Sequence, residues 1–216
     1  LLLGPDRRAQ VLKWWRLPEV APAASKPGAE FRRELRAQLE DTIRAHRLAD
    51  VPVGAFLSGG LDSTAVVALM RHCGADKLKT FSITHEEPEF AEGAHARLAA
   101  RELGTEHHEE VLTGDRLAAE LPAILASFDQ PTGDGINSHY ASRIARQGGV
   151  KVALSGLGGD ELFGGYPSFR DMPRLARWLP RWRMLPRRGR DLIVVRLRHG
   201  SSRQRKLADF LQHGRD

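Results

Sequence analysis

Two short stretches of this chain carry the residue types that bind phosphate groups. The first is SGGLDS, residues 58–63, which follows an apolar run over residues 51–57 and precedes an apolar helical pattern. A buried strand that leads through glycines into a helix N-terminus binds anions. The first amide groups of a helix have no partner within it, and the helix dipole is positive at that end. The stretch has no Lys, so it is not a Walker A loop. We expect a phosphate-binding loop of another kind.

Asp62 indicates a more specific chemistry for this loop. A bare carboxylate would repel a phosphate group held nearby, but it can bind a Mg²⁺ that the phosphates also bind. Gly59 and Gly60 let the backbone approach a phosphate without an intervening Cβ, and the hydroxyls of Ser58 and Ser63 add donors. The alternative is that Asp62 or Ser63 only caps the helix and the glycines form a tight turn.

The second stretch is SGLGGDELFGGY, residues 155–166, and it repeats the order of the first. An apolar run over residues 150–154 leads into Ser-Gly, a glycine-rich turn and the acidic pair Asp160 and Glu161. Mg²⁺ prefers carboxylate, phosphate and water oxygens as ligands. If the two stretches follow neighbouring strands, Asp62 and Asp160 can share one Mg²⁺. The alternative is a glycine-rich turn in which Asp160 only caps a helix.

The hydrophobic patterns predict the scaffold that must position these loops. Strands and helices alternate, which predicts an α/β fold with a doubly wound, mostly parallel sheet and helices on both faces. Both loops then lie beyond the carboxyl ends of strands, where ligands bind in such sheets. The predicted strands cover residues 51–57, 78–83, 107–112 and 150–154, and the predicted helices cover residues 29–47, 64–73, 91–103, 114–128 and 136–148.

Composition and charge narrow the class of protein. The 216 residues suffice for one good-sized domain, and no run approaches the roughly eighteen apolar residues of a membrane span. The single cysteine, Cys73, cannot form an internal disulfide, which fits a cytoplasmic location. The formal net charge is +6, and residues 170–216 carry fourteen Lys and Arg against four Asp and Glu. Trp178 and its apolar neighbours predict an amphipathic helix there that packs on the domain, with Arg174, Arg177 and Arg181 facing water.

The first loop resembles the PP-loop of the ATP pyrophosphatases, which cleave ATP between its α- and β-phosphates. Three further stretches narrow the resemblance, namely LGTEHHE over residues 103–109, FDQPTGD over 128–134 and VALSGLGGDELFGGY over 152–166. Together with VPVGAFLSGGLDST they resemble the synthetase domain of glutamine-dependent asparagine synthetases, over about residues 11–170. The fold implied is a Rossmann-like PP-loop sheet.

The resemblance implies substrates, a metal and a reaction. ATP would bind with its diphosphate portion on the first loop, and Asp62 and Asp160 would share a Mg²⁺ and act in catalysis. The aspartate β-carboxylate would attack the α-phosphate, giving β-aspartyl-AMP and diphosphate, and ammonia would then displace AMP. The matching positions are Ser58, Gly59, Gly60, Asp62 and Ser63 for the diphosphate, and Leu57, Ile83, Ser155 and Gly156, partly through backbone groups, for the adenine and ribose pocket.

Three departures from the family pattern matter. Many members have an acidic residue, thought to help ammonia attack, where this chain has Leu157. Glu161 or Asp134 could take that role, and Glu161 is counted among the catalytic candidates. The glutaminase domain with its N-terminal Cys is missing, and the family continues past residue 216. We therefore expect a connector over residues 1–26, the synthetase core over 27–169 and a basic helical segment over 170–216, with little activity in this piece alone.

Other interpretations of the sequence remain open. Leu157 keeps open the alternative of a relative that adenylates a different carboxylate, forming an amide or a lactam. A nucleotide-binding module without catalysis is the alternative from another class, and the intact Asp62, Ser63 and Asp160 argue against it. A tRNA-modifying enzyme would be expected to carry paired cysteines for sulfur handling, which the chain lacks. The expected partners are aspartate, ATP and ammonia or glutamine; membranes and nucleic acid are disfavoured, and a homo-oligomer is compatible with the sequence.

The remaining polar residues of interest are two adjacent histidines, two arginines of one helix and three candidates for the substrate pocket. His107 and His108 are adjacent on a predicted strand, so they point to opposite faces and form a poor metal chelate. Arg143 and Arg146 lie one helical turn apart and are predicted to face solvent. The candidates for the substrate pocket by motif position are Asp129, Thr132 and Asp134.

Overall fold

The computed structural model describes residues 2–3, 9–13, 15–16, 27–86 and 93–213. Most of the predicted connector over residues 1–26 lies outside this set. In chain order the elements are β1 (Leu2–Leu3), β2 (Ala9–Gln10), α1 (Gly28–His46), β3 (Val53–Phe56), α2 (Leu61–His72), β4 (Lys79–His85), α3 (Gly93–Leu103), β5 (Glu106–Leu112), α4 (Gly114–Ala126), α5 (Gly135–Gln147), β6 (Val152–Leu154), α6 (Gly159–Phe163), α7 (Pro167–Met184), α8 (Arg187–Arg198) and α9 (Ser202–His213).

A four-stranded parallel sheet holds the two loops. Its strand order is β5-β4-β3-β6, and each neighbouring pair is parallel. The chain enters this sheet at β3, adds β4 and β5 on one side, and returns to place β6 on the other side. The strand order therefore reverses between β3 and β6, and doubly wound sheets bind their ligands beyond the strand ends at such a point. The predicted parallel α/β fold is confirmed, and the loops after β3 and β6 flank this boundary.

Alternate side chains around β3 attach helices to both faces of the sheet. Ala55 and Leu57 are fully buried in one cluster with side chains of α1, α2 and α3. Phe56 packs on the opposite face, around Phe81 and side chains of α5. Burial of a leucine side chain stabilises a fold by roughly 1.5–3 kcal/mol. Leu57 therefore fixes the start of the first loop, and the fully buried Val67 of α2 fixes the element that follows it.

The basic tail forms three helices with an apolar cluster of their own. Trp182 of α7, Val194 of α8 and Ala208 of α9 are buried together. The sequence predicted one amphipathic helix that packs on the domain, whereas the buried tryptophan of α7 packs with the two helices that follow it. The arginines predicted to face water are exposed, as expected, at Arg174, Arg177 and Arg181. No helix in the described part of the chain is both long enough and apolar enough to cross a membrane.

Candidate functional site

Serine hydroxyls close the first loop on itself. Leu57 extends the sheet by donating its backbone N–H to the Phe81 carbonyl at 2.8 Å. The hydroxyls of Ser58 and Ser63 lie 3.0 Å apart, and the Ser58 amide donates to the Ser63 hydroxyl at 3.2 Å. That hydroxyl in turn donates to the Gly60 carbonyl at 3.2 Å. Because Ser63 is buried and Ser58 is exposed, only Ser58 of the two predicted hydroxyl donors remains open to a ligand.

The helix after the loop begins without a side-chain cap from the described residues. Gly60 occupies the N-cap position of α2, and its backbone is extended. The alternative in which Asp62 or Ser63 serves only as the helix cap is therefore wrong. Asp62 is half-buried in the first turn of α2. The first amide groups of this helix are oriented for an anion such as a phosphate.

Gly59 brings the apex of the first loop against α3. Its φ of +84° lies in the left-handed region that favours glycine. A Cβ at this position would lie 2.6 Å from the Ala96 amide nitrogen and 2.7 Å from the His95 Cβ. Both distances are shorter than real side chains allow, so the loop rests directly on the first turn of α3.

The second loop packs directly on the start of α2. A Cβ at Gly156 would lie 2.6 Å from the Ser63 amide nitrogen, and a Cβ at Gly159 would collide with the Asp62 carboxylate. The two loops are thus in contact across the boundary between β3 and β6. The Asp62 carboxylate lies against Gly159, the residue that precedes Asp160, and the sharing of one Mg²⁺ by these two acidic groups stays a prediction.

The acidic pair of the second loop is held by α6 and the turn after it. Gly158 is the N-cap residue of α6 and no described side chain caps this helix, so the alternative role of Asp160 as a cap is wrong. The Asp160 carboxylate lies close to Gly165, where a Cβ would collide with it. Glu161 accepts a hydrogen bond of 2.8 Å from the Tyr166 hydroxyl. This bond is the main cause of the raised pKa of Tyr166.

The residues predicted for the adenine and ribose pocket differ in exposure. The side chain of Leu57 is fully buried, so a nucleotide can meet only its backbone. Ile83 is half-buried in β4, one strand away from the boundary of β3 and β6, and packs in the cluster around Leu112. Ser155 is exposed after β6, and its hydroxyl accepts a bond of 3.2 Å from the Leu157 amide. Their contacts with a nucleotide stay predictions.

The two adjacent histidines lie on β5, and the candidates for the substrate pocket lie near the start of α5. His107 lies 3.0 Å from the Thr80 hydroxyl and 3.2 Å from the Ser82 hydroxyl, and burial lowers its pKa. His108 stacks on Phe81, so the prediction that the two histidines face opposite sides is confirmed. The candidates for the substrate pocket, Asp129, Thr132 and Asp134, are exposed before and at the start of α5.

The contact between the loops fits a Mg²⁺ that is bound together with phosphates. Asp62 and Asp160 supply carboxylate oxygens, which are hard ligands of the kind Mg²⁺ binds. Across the part of the chain that the structure describes, no group of three or more His, Cys, Asp or Glu could hold a metal ion. An ion between the loops would take its remaining ligands from phosphate and water, as Mg²⁺ does at nucleotide sites. The two carboxylates therefore fit a Mg²⁺ that is bound together with a nucleotide.

An ion-pair network between β5, α4 and α5 was not predicted from the sequence. Arg143 donates to Glu120 and to Glu110, both at 2.8 Å. Its guanidinium lies 4.5 Å from the ring centre of Tyr140. Arg116 pairs with Glu110 at 2.7 Å and with Glu120 at 3.0 Å. Hydrogen bonds from Arg143 and then Arg116 lower the pKa of Glu120 to about 2.

The prediction that Arg143 faces solvent is therefore wrong. Its side chain is only 25% exposed and joins three elements. The same prediction for Arg146 is confirmed, because that residue is exposed one turn further along α5. A sequence signal exists for the pair Arg116 and Glu120, which are four residues apart on α4. No local spacing indicates that Arg143 approaches a strand and a helix that are distant in sequence.

Comparisons with known proteins identify the family. The profile of the Asparagine synthase family matches residues 34–214. The chain is 40% identical over 141 residues to asparagine synthetase (glutamine-hydrolyzing) 1 of Bacillus subtilis, which covers 64% of this chain and 22% of that protein. It is 33% identical over 165 residues to asparagine synthetase B (glutamine-hydrolyzing) of Escherichia coli, which covers 69% of this chain and 30% of that protein. The chain thus spans about a fifth to a third of the length of these relatives. It belongs to the asparagine synthase family.

Proposed function

We propose that this chain activates a carboxylate with ATP for amide formation, and that the carboxylate is the side chain of aspartate. The β-carboxylate oxygen attacks the α-phosphorus of ATP and the bond to the β-phosphate oxygen breaks, which yields β-aspartyl-AMP and diphosphate. Ammonia then attacks the acyl carbon, AMP leaves, and the nitrogen loses a proton to give asparagine. The contact of Gly156 and Gly159 with the start of α2 carries this proposal, because it joins both loops into one site.

The residues of the two loops have separate roles in this reaction. The backbone of Gly59 and Gly60, the first amides of α2 and the Ser58 hydroxyl hold the diphosphate portion, since unpartnered amides at a helix N-terminus bind phosphate. Ser63 keeps the loop closed through its bond to the Gly60 carbonyl. Asp62 and Asp160 would hold Mg²⁺, which when bound offsets the charge that develops on the leaving diphosphate. The backbone of Leu57 together with Ile83, Ser155 and Gly156 would surround the adenosine.

Glu161 and the nitrogen source belong to the second step. The Tyr166 hydroxyl orients Glu161, which can accept the proton that the attacking nitrogen loses. Both relatives are named glutamine-hydrolyzing, and we extend the proposal to ammonia that is released from glutamine by another part of the protein. Residues 27–169 would form the synthetase core in the cytoplasm, with residues 170–216 as a helical addition.

ATP–diphosphate exchange tests the first step. Labelled diphosphate should enter ATP when Mg²⁺ and aspartate are present, because formation of the acyl adenylate is reversible. Asp62→Asn and Asp160→Asn should each lower the exchange rate by roughly a hundredfold or more, as the loss of one key electrostatic group does. Asp115→Asn is the matched control, since Asp115 is an exposed acid in the first turn of α4 and lies outside both loops.

The outcomes separate the proposed chemistry from its alternatives. Near-normal exchange in either loop variant would remove the Mg²⁺ assignment. Exchange that requires aspartate, followed by asparagine and AMP when ammonia is added, would establish the reaction. Mg²⁺-dependent ATP binding without exchange for any acid would point to the nucleotide-binding module.

A different carboxylate substrate is the second candidate, and Leu157 favours it. This side chain is 87% exposed on the second loop, where it adds apolar surface beside two acidic groups. A substrate with an apolar portion would cover it, whereas aspartate offers little apolar surface. In the exchange assay, a panel of larger carboxylic acids should then exceed aspartate, and Leu157→Glu should shift the preference back toward aspartate.

A further inference from the structure

The two loops hold a surplus of negative charge for a site that binds ATP. Residues 57–64 and 155–166 contain no Lys or Arg, and they carry Asp62, Asp160 and Glu161. ATP brings several further negative charges, and one Mg²⁺ offsets only part of the total. The amides at the start of α2 offset a further part, and any positive side chain that strengthens binding must come from another element. The element that rests on the apex of the first loop is α3.

His95 of α3 is an ionisable residue that lies against the apex of the first loop. Its Cβ would lie 2.7 Å from a Cβ at Gly59, so the two backbones are in direct contact. In a helix the Cα–Cβ bond tilts toward the N-terminus, so the imidazole of this first-turn residue extends toward the end of α3 that borders the loop. The side chain is exposed. Arg97, the next cation along α3, donates two bonds of 2.7 Å to the Glu109 carboxylate and is engaged there.

We propose that the His95 imidazole binds phosphate oxygens of the ATP held on the first loop. This contact rests on the proposed function and adds to it a residue that lies in neither loop. The imidazole donates an N–H in its neutral form and becomes a cation when protonated, and hydrogen bonds with a charged partner are the stronger ones. Solvent screens an exposed side chain, so the contact should contribute roughly fivefold to the affinity for ATP.

The dissociation constant of ATP in the presence of Mg²⁺, measured by isothermal titration calorimetry, tests the contact. His95→Ala should weaken ATP binding by roughly fivefold, His95→Gln by less because it keeps a neutral donor, and His95→Arg should bind as tightly as the wild type. Magnesium diphosphate should show the same order, whereas adenosine should bind all four proteins alike. His72→Ala is the matched control, because His72 is exposed at the far end of α2. It should bind ATP like the wild type.

The controls separate a failure of this contact from a failure of the proposed function. His95 is an exposed helical residue and alanine is a strong helix former, so His95→Ala should keep the wild-type unfolding temperature. Equal ATP affinity in the wild type and His95→Ala, with Mg²⁺-dependent binding in both, would overturn the contact and leave the proposed function standing. No ATP binding by the wild type would overturn both. A loss in His95→Ala that also appears with adenosine would show that the phosphates are not what His95 binds.

Discussion

Replacement of Gly156 by alanine tests whether the contact between the loops builds the site. The new Cβ would lie 2.6 Å from the Ser63 amide nitrogen and 2.9 Å from the Asp62 carbonyl carbon, whereas ordinary contacts begin at 3.4 Å. Both atoms belong to the backbone, so the second loop would have to move by roughly 0.8 Å. Because a misplacement on the order of 1 Å can cost about a hundredfold in rate, we expect Gly156→Ala to slow ATP–diphosphate exchange by roughly ten- to a hundredfold.

The matched control for this substitution is Gly114→Ala. Gly114 is the first residue of α4, and a Cβ there would meet no heavy atom within 4 Å. Gly114→Ala should catalyse ATP–diphosphate exchange at the wild-type rate. It should unfold at the same temperature or at a slightly higher one, since alanine restricts the conformations of the unfolded chain. Overpacking in Gly156→Ala should cost about 1–3 kcal/mol of stability and leave a cooperative transition. A folded Gly156→Ala protein with wild-type exchange and wild-type ATP affinity would refute the view that loop contact positions the reacting groups.

Three further predictions concern the ion-pair network of β5, α4 and α5 and the tyrosine at the end of the second loop. Arg143→Met should lower the free energy of unfolding by roughly 2 kcal/mol. This cost is below the range for breaking a fully buried ion pair, because Arg116 still binds both glutamates. The unfolding temperature should then fall by about 4–8 °C, and Arg146→Met should leave it unchanged. The pKa of Glu120 is about 2 in the fold against 4.5 ordinarily, so the unfolded chain takes up this proton first. The free energy of unfolding should therefore fall as the pH drops from 4.5 toward 2. In thermal unfolding experiments over this pH range, Glu120→Gln should lack the part of the decrease that Glu120 causes. Tyr166→Phe removes the donor to Glu161 and should slow amide formation by roughly fivefold while exchange stays near wild type.

Local patterns in the sequence predicted most of the scaffold. Apolar runs of strand length and four-residue repeats specify elements through contacts between near neighbours, and the strands at 53–56, 79–85, 106–112 and 152–154 fall where those runs lie. The glycine-rich stretches after two of these runs also predicted two loops at one edge of the sheet, and the structure has these loops in contact. A parallel sheet places every strand end with the same polarity on one edge, so this prediction required no knowledge of the strand order.

The features that were missed depend on contacts between distant segments. Arg143 looked like a solvent-facing helical residue, since nothing in its own helix indicates that Glu110 and Glu120 lie within reach. The contact of His95 with the first loop follows from how α3 packs against α2 and β4, and periodicity along α3 does not report it. The tail helices are a similar case, because Trp182 could pack on the domain or on the next helices with the same amphipathic pattern.

The strand order explains why position 156 requires a residue without a side chain. Its backbone is not in the left-handed region, so a local view of the turn would accept alanine. Neighbouring strands lie about 4.8 Å apart, and α2 starts five residues after β3 ends, so the start of α2 fills the space in front of β6. The loop after β6 can reach Asp62 only if it carries no side chain where it crosses that helix. If β3 and β6 were not neighbours in the sheet, this glycine would have no steric purpose. A loss of ATP–diphosphate exchange in Gly156→Ala would therefore test the topology of the sheet as well as the site.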